Sequence, residues 1–431
     1  MHAVQKDSER CRTIPVWQKM LAFLFSMLLV LSNATLYGRF GYFQSAIPIV
    51  LLLLSLLAIF TVLVGTGISL TDLKRGVTWF SCCVIVCAIV SLGTLRLPTM
   101  GHFAFLLLYA IFPLFILVCY RNSVLDKIFD YLSSIIAWLA LSSSILWLFG
   151  PFLGVLKPNC TFPDTWSDGS LSGGEAFGYY GLLYQLQWSE FGSFLGFRNT
   201  SIFGEGPAFA FYLIIALLVE LFYFKKYRLW RVFSFIAALV TSFSTTGWIL
   251  ALGIFVVYFY SKSTISKRAR NLIVFIAFCL FCAAFSVSHV LFASKVDTSS
   301  GAIHMDDFKA GFAAWLSSPI LGNGIGNNDA VVPFMSSFRD NNTGFSNTFL
   351  FVLATGGLLY FALWLAPFWG YCRATGKNRL FGLFFFLVVC VSNVSYFAFA
   401  AFFLSYGIAL MFLSGDHSYG ARDDKQYEFY Y

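Results

Sequence analysis

The chain has 431 residues, of which 59% are hydrophobic and only 11% charged, with a formal net charge of +8 and a mean hydropathy of +0.77. This composition excludes a soluble multidomain protein and specifies one polytopic helical bundle. It also removes the nucleic-acid reading that a basic protein invites, because the basic excess sorts by side of a membrane and forms no patch.

Twelve apolar segments follow in order at roughly 19–41, 45–65, 77–95, 102–119, 128–153, 207–224, 230–244, 246–260, 271–292, 348–369, 380–394 and 397–414. About 20 apolar residues are needed to cross about 30 Å of hydrocarbon with every backbone group bonded internally. Three segments, 230–244, 246–260 and 380–394, are short enough to be halves of a broken or tilted pair. The expected fold is therefore all-α, a transmembrane bundle of about 12 spans with two long external loops carrying amphipathic or interfacial helices. Of the 28 Lys and Arg residues, 21 fall on one side of these spans. The other side holds Arg39, Arg96, Lys157, Arg198, Lys295, Lys309 and Arg339. Basic residues near span ends are retained in the cytoplasm, so both termini are expected inside and the two long loops outside.

The implied organisation is a bundle of about five spans over 1–153, a first external loop at 154–206, central spans over 207–292, a second external loop at 293–347, C-terminal spans over 348–414 and a cytoplasmic tail at 415–431. The charged 15-residue lead has no small-residue cleavage site after the first span, which reads as a retained anchor. Of ten cysteines only Cys160 falls in an outer loop, which leaves no disulfide framework there.

Loops of this length are uncommon unless they have a job or structure of their own. In the first, the aromatic run from Tyr179 to Phe197 is too polar to span and suits a segment lying in the membrane interface. In the second, Met305, Phe308, Phe312, Trp315 and Leu316 recur at steps of three and four, whereas His304, Asp307 and Gly311 share another face. The spacing predicts an amphipathic helix of about fourteen residues, closed at Ser317, Ser318 and Pro319. Its apolar face is expected on the bundle and its polar face toward an outer cavity.

Four stretches could carry chemistry. Arg198 to Pro207 stands directly before a span, with Pro207 suited to a first helical turn and Glu205 placed to meet the positive helix end. Either Arg198 and Glu205 form a structural ion pair, or Arg198 offers its planar fork to an anionic group such as a phosphate. The run Gly322, Gly324 and Gly326 is a plain turn or a nest of backbone N–H groups for an anion. It lacks the GK[ST] ending of an ATP loop. Arg339 is either a snorkelling interfacial residue or a second phosphate ligand. His304, set beside Asp306 and Asp307, is a general base or simply solvent-facing. Metal-ligand spacing and the GxSxG elbow are both missing from the sequence, so no metal and no cofactor are expected.

The ordering of Arg198 to Pro207, Ser242 to Trp248, Asp307 through Trp315 to Gly324, and Ser346-Asn347 ahead of a Gly-Gly span resembles bacterial O-antigen polymerases and the related O-antigen ligases. The resemblance covers roughly residues 190 to 414. It implies a metal-independent glycosyltransferase of the bacterial inner membrane, acting at its outer face on an oligosaccharide linked to undecaprenyl diphosphate, with a flippase and a chain-length regulator as further partners beside the lipid bilayer. It picks out Arg198 and Arg339 against the diphosphate. Gly322, Gly324 and Asn347 are expected to line the substrate site, and Glu205, Asp307, Asp340 or His304 to accept the hydroxyl proton. Ligases of the family carry a histidine where this chain has Ser346, which favours a polymerase. Many members carry an arginine where this chain has His304. The alternatives are an O-antigen ligase, or a transporter or flippase of lipid-linked glycan. No ionisable residue stands near the middle of an expected span, which weighs against transport.

Overall fold

The computed structural model describes residues 15–32, 35–39, 41–65, 70–98, 100–165, 171–191, 194–224, 227–261, 268, 299–339, 344–345, 347–372 and 376–391. The described residues are 75% helical. Five described helices are long and apolar enough to cross a membrane: Leu70–Thr94, His102–Arg121, Leu125–Phe152, Gly206–Tyr223 and Thr348–Ala366. Four more, Val16–Leu31, Ala46–Phe60, Leu229–Thr241 and Thr245–Tyr260, are apolar but shorter. The expected spans 271–292 and 397–414 lie outside the described residues, so the bundle of about twelve remains an expectation.

In chain order the helices are α1 (Val16–Leu31), α2 (Leu36–Arg39), α3 (Gly41–Gly65), α4 (Leu70–Thr94), α5 (Met100–Arg121), α6 (Leu125–Trp147), α7 (Gly206–Leu218), α8 (Leu229–Thr241), α9 (Thr245–Ser261), α10 (Ser299–Ser317), α11 (Thr348–Cys372) and α12 (Gly376–Val391). Helix α7 is hydrophobic all round, and it is buried all round, packed among α6, α8, α9 and α12. Helix α4 is its opposite. Val77, Phe80, Val84, Ile85 and Ile89 face outward, where hydrocarbon would cover them.

Helix ends gather by charge. At one end Arg121 of α5 reaches Asp72 of α4 at 3.1 Å, and Asp130 of α6 holds both Arg228 (2.5 Å) and Arg231 of α8 (2.7 Å). At the other end Leu36 donates its N–H to Ile202 at 2.8 Å and Asn199 donates to Thr241 at 3.0 Å. The Trp147 indole there donates to the Phe197 carbonyl at 2.7 Å. The glycine-rich turn belongs to this second end, because Gly324 abuts Arg96 just past α4 and Gly326 abuts His102 at the start of α5. Both polar regions therefore lie at the end opposite the paired arginines.

The all-α expectation fails within 154–206. There β1 (Cys160–Thr165), β2 (Leu171–Tyr179) and β3 (Leu183–Tyr184) form an antiparallel sheet in the order β1-β2-β3, and β4 (Trp188–Phe191) pairs with β5 (Phe194–Phe197). The aromatic run is thus strand and turn, in place of the interfacial helix expected there. Ala176 points inward while Phe177 beside it is exposed, the alternation that a strand requires.

The helix break also falls elsewhere than expected. Segments 229–241 and 245–261 are two helices joined by a tight turn, whereas α11 is interrupted at Gly357, whose φ of 63° and ψ of −171° belong to glycine. The turn after α10 fills this gap. Leu358 and Leu359 donate their N–H groups to Pro319 and Ile320 at 2.9 and 3.2 Å, and Asn323 gives its own N–H to Ala354 at 3.0 Å. A Cβ on Gly357 would stand 2.3 Å from the Ile320 carbonyl oxygen, so the turn docks against bare backbone.

Helix α10 reverses the expected facing. Asp306, Asp307, Ala310 and Ala314 are buried, while Met305, Phe308, Phe312 and Leu316 are exposed. Small residues explain the choice: a Cβ on Gly311 would come within 2.7 Å of Phe345 and 2.9 Å of Leu350, so this face alone lets α10 approach α11 closely.

Candidate functional site

Residues 199 to 203 form the rigid base of the first site. Asn199, Thr200 and Ser201 are fully buried, and buried polar groups must be bonded. Asn199 Nδ2 donates to Thr241 Oγ1 at 2.9 Å, and its Oδ1 accepts the Ser201 N–H at 3.1 Å. The Thr200 and Ser201 hydroxyls donate to the carbonyls of Tyr184 and Leu182, each at 3.1 Å. Phe203 stacks on Phe209 of α7. These bonds tie the segment to itself, to the β region and to α8, which leaves Arg198 on a fixed support. Behind it, Tyr184 and Tyr37 share a hydroxyl contact of 3.0 Å, and burial first, then that bond, pushes the Tyr184 hydroxyl far up.

Arg198 extends the β4–β5 ladder by one pair, donating its N–H to the Gln187 carbonyl at 2.9 Å beyond the Trp188–Phe197 pair. Side chains of adjacent ladder pairs point to opposite faces, so Arg198 and Gln187 share the face away from Trp188. There Gly206, the first residue of α7, donates its N–H to Gln187 Oε1 at 2.9 Å. A Cβ on Gly206 would lie 3.0 Å from the Ser242 carbonyl and 3.6 Å from Arg198 Cδ. The Ser242 turn, singled out as a separate motif, thus meets the Arg198 motif at Gly206.

Arg198 is half-buried, and its Nε is fully buried with no hydrogen-bond partner among the described residues. Burial lowers the guanidinium from its ordinary value, and nearby Glu205 partly offsets that. Glu205 stands at the N-terminus of α7 with its side chain making no capping bond. A cation desolvated in this way gains from an anion that can take its remaining hydrogens.

The other expected residues form a second group on α10 and α11. Arg339 is buried and donates through Nη1 to Asp307 at 2.5 Å, with Asp306 at 3.5 Å and the Gly344 carbonyl on Nη2. Asp306 also accepts from the Ser336 N–H and hydroxyl. Arg339 is therefore neither snorkelling nor turned toward a ligand, and Asp307 is fully buried and committed to the ion pair. The nest reading of Gly322 fails as well, since its N–H is taken by Ser318 at 2.9 Å. Gly324, at a φ of 103°, packs on Arg96. Asn347 caps α11 by accepting the Leu350 N–H at 3.1 Å. His304 lies on the exposed side of α10. Asp340 and Ser346 fall outside the described residues. Among the described residues no three His, Cys, Asp or Glu side chains gather as a metal site.

Gln187 is the site residue that sequence reasoning missed. It belongs to no motif, and its pairing with Arg198 exists only once β4 and β5 have joined. Comparison with protein-family models and with curated proteins finds no match for this chain.

Proposed function

We propose that the chain is a glycosyltransferase of the bacterial inner membrane that polymerises oligosaccharide repeats carried on undecaprenyl diphosphate, with Arg198 holding the diphosphate at the outer face. One observation carries the reading: a half-buried guanidinium whose Nε has no partner among the described residues, on a support where Asn199, Thr200 and Ser201 are all hydrogen-bonded. In the reaction an acceptor hydroxyl oxygen attacks the anomeric carbon of the donor glycan. The carbon–oxygen bond to the diphosphate breaks and its electron pair leaves on the diphosphate oxygen, while the hydroxyl proton passes to a base. Stabilising that departing charge is the main task, and Glu205, near Arg198, is the base we assign.

Purified protein in bilayer discs, given undecaprenyl diphosphate bearing one oligosaccharide repeat, should yield a ladder of longer glycans. Arg198→Ala should lower the rate by about 10²-fold or more, the cost of removing one donor to a developing oxyanion, and Arg198→Lys should recover part of it. An Arg198→Ala ladder at the original rate would remove the assignment.

The second reading, a transporter of lipid-linked glycan, draws on one finding. Glu220 and Arg231 are both buried and paired at 3.2 Å at the arginine end of the helices, and buried charge pairs can mark transport routes. Movement of the carrier across the bilayer without elongation would select it.

A further inference from the structure

The geometry points to Gln187 as a second ligand for the anion held by Arg198, an inference that rests on the reading above. Two hydrogen bonds and the strand register fix the residue. Its carbonyl accepts the Arg198 N–H at 2.9 Å, its Oε1 accepts the Gly206 N–H at 2.9 Å, and its strand pairing with Arg198 sets both side chains on one face. Only the oxygen of a carboxamide can accept a hydrogen bond, so the Gly206 contact dictates which way the group faces. The Nε2 donors then point away from Gly206, and among the described residues nothing takes them. Arg198 Cδ and Gln187 Oε1 each lie 3.6 Å from the same point beside Gly206, so the two side chains stand together. Arg198 supplies charge and Gln187 supplies two neutral donors of fixed direction. That combination suits a diphosphate, whose oxygens outnumber what one guanidinium can reach.

Two substitutions separate this role from a structural one. Gln187→Glu keeps an acceptor for Gly206 but replaces the donors with negative charge, and Gln187→Met removes the donors without adding charge. Full-length protein in bilayer discs would be titrated with inorganic pyrophosphate, and in a second arm with undecaprenyl diphosphate built into the discs, alongside a melting curve for each variant. Binding should weaken about tenfold or more in Gln187→Met, as expected for lost bonds to a charged ligand, and further in Gln187→Glu, whose melting temperature should match the parent. Loss of binding in Arg198→Ala with unchanged binding in both Gln187 variants would overturn the inference and leave the reading standing. Failure of the parent protein to bind in either arm would overturn both.

Discussion

Two arginines that look equivalent in the sequence end in opposite circumstances. Arg339 has its charge matched by Asp307 and Asp306, while Arg198 keeps a buried Nε without a partner among the described residues. The first is thus a strut, and the second is the one we propose as a ligand. Removing one partner of a buried ion pair leaves the other charge desolvated, at about 3–5 kcal/mol. Arg339→Ala should accordingly lower the melting temperature of the purified protein sharply, and an unchanged melting curve would contradict the strut. Arg198 was legible in the sequence because it stands just before a proline-started helix. The commitment of Arg339 was not, because its partner lies 32 residues earlier and meets it only after α10 turns its carboxylates inward.

At the scale of elements, the same loss of information explains the helix break. Gly356-Gly357 was visible, yet a glycine pair within an apolar run costs a helix only modestly. What interrupts α11 is the turn at 319–323, which supplies the carbonyls that Leu358 and Leu359 use. Gly357→Ala would require a Cβ at a φ of 63° and 2.3 Å from Ile320 O, a strain of about 1–3 kcal/mol that undocking the turn would relieve. The variant should be cut faster by protease between Pro319 and Asn327, and equal cutting rates would refute the docking. The β region was not legible, because the aromatic run from Tyr179 to Phe197 shows no pattern that separates strand from helix. Its aromatics suit an interfacial segment and a strand alike, and composition does not decide between them.

For the whole molecule, the charge asymmetry and the apolar runs gave the most. The helices described over 16–261 alternate end to end as the spans require, with Asp72, Arg121, Asp130, Arg228 and Arg231 gathered at one end and the polar regions at the other. Alternation is legible in sequence from the order of the apolar runs and their charged connectors, whereas the facing of α10 depends on packing that hydropathy does not encode. A diphosphate carrier at the outer leaflet can meet Arg198 only if that end faces outward. The most direct test labels single cysteines with an impermeant reagent in intact cells, in a chain whose ten native cysteines are replaced. Position 180 is exposed beside the β sheet and position 75 is exposed at the arginine end. Tyr180→Cys should react and Arg75→Cys should react only after the cells are opened; the reverse pattern would contradict the account.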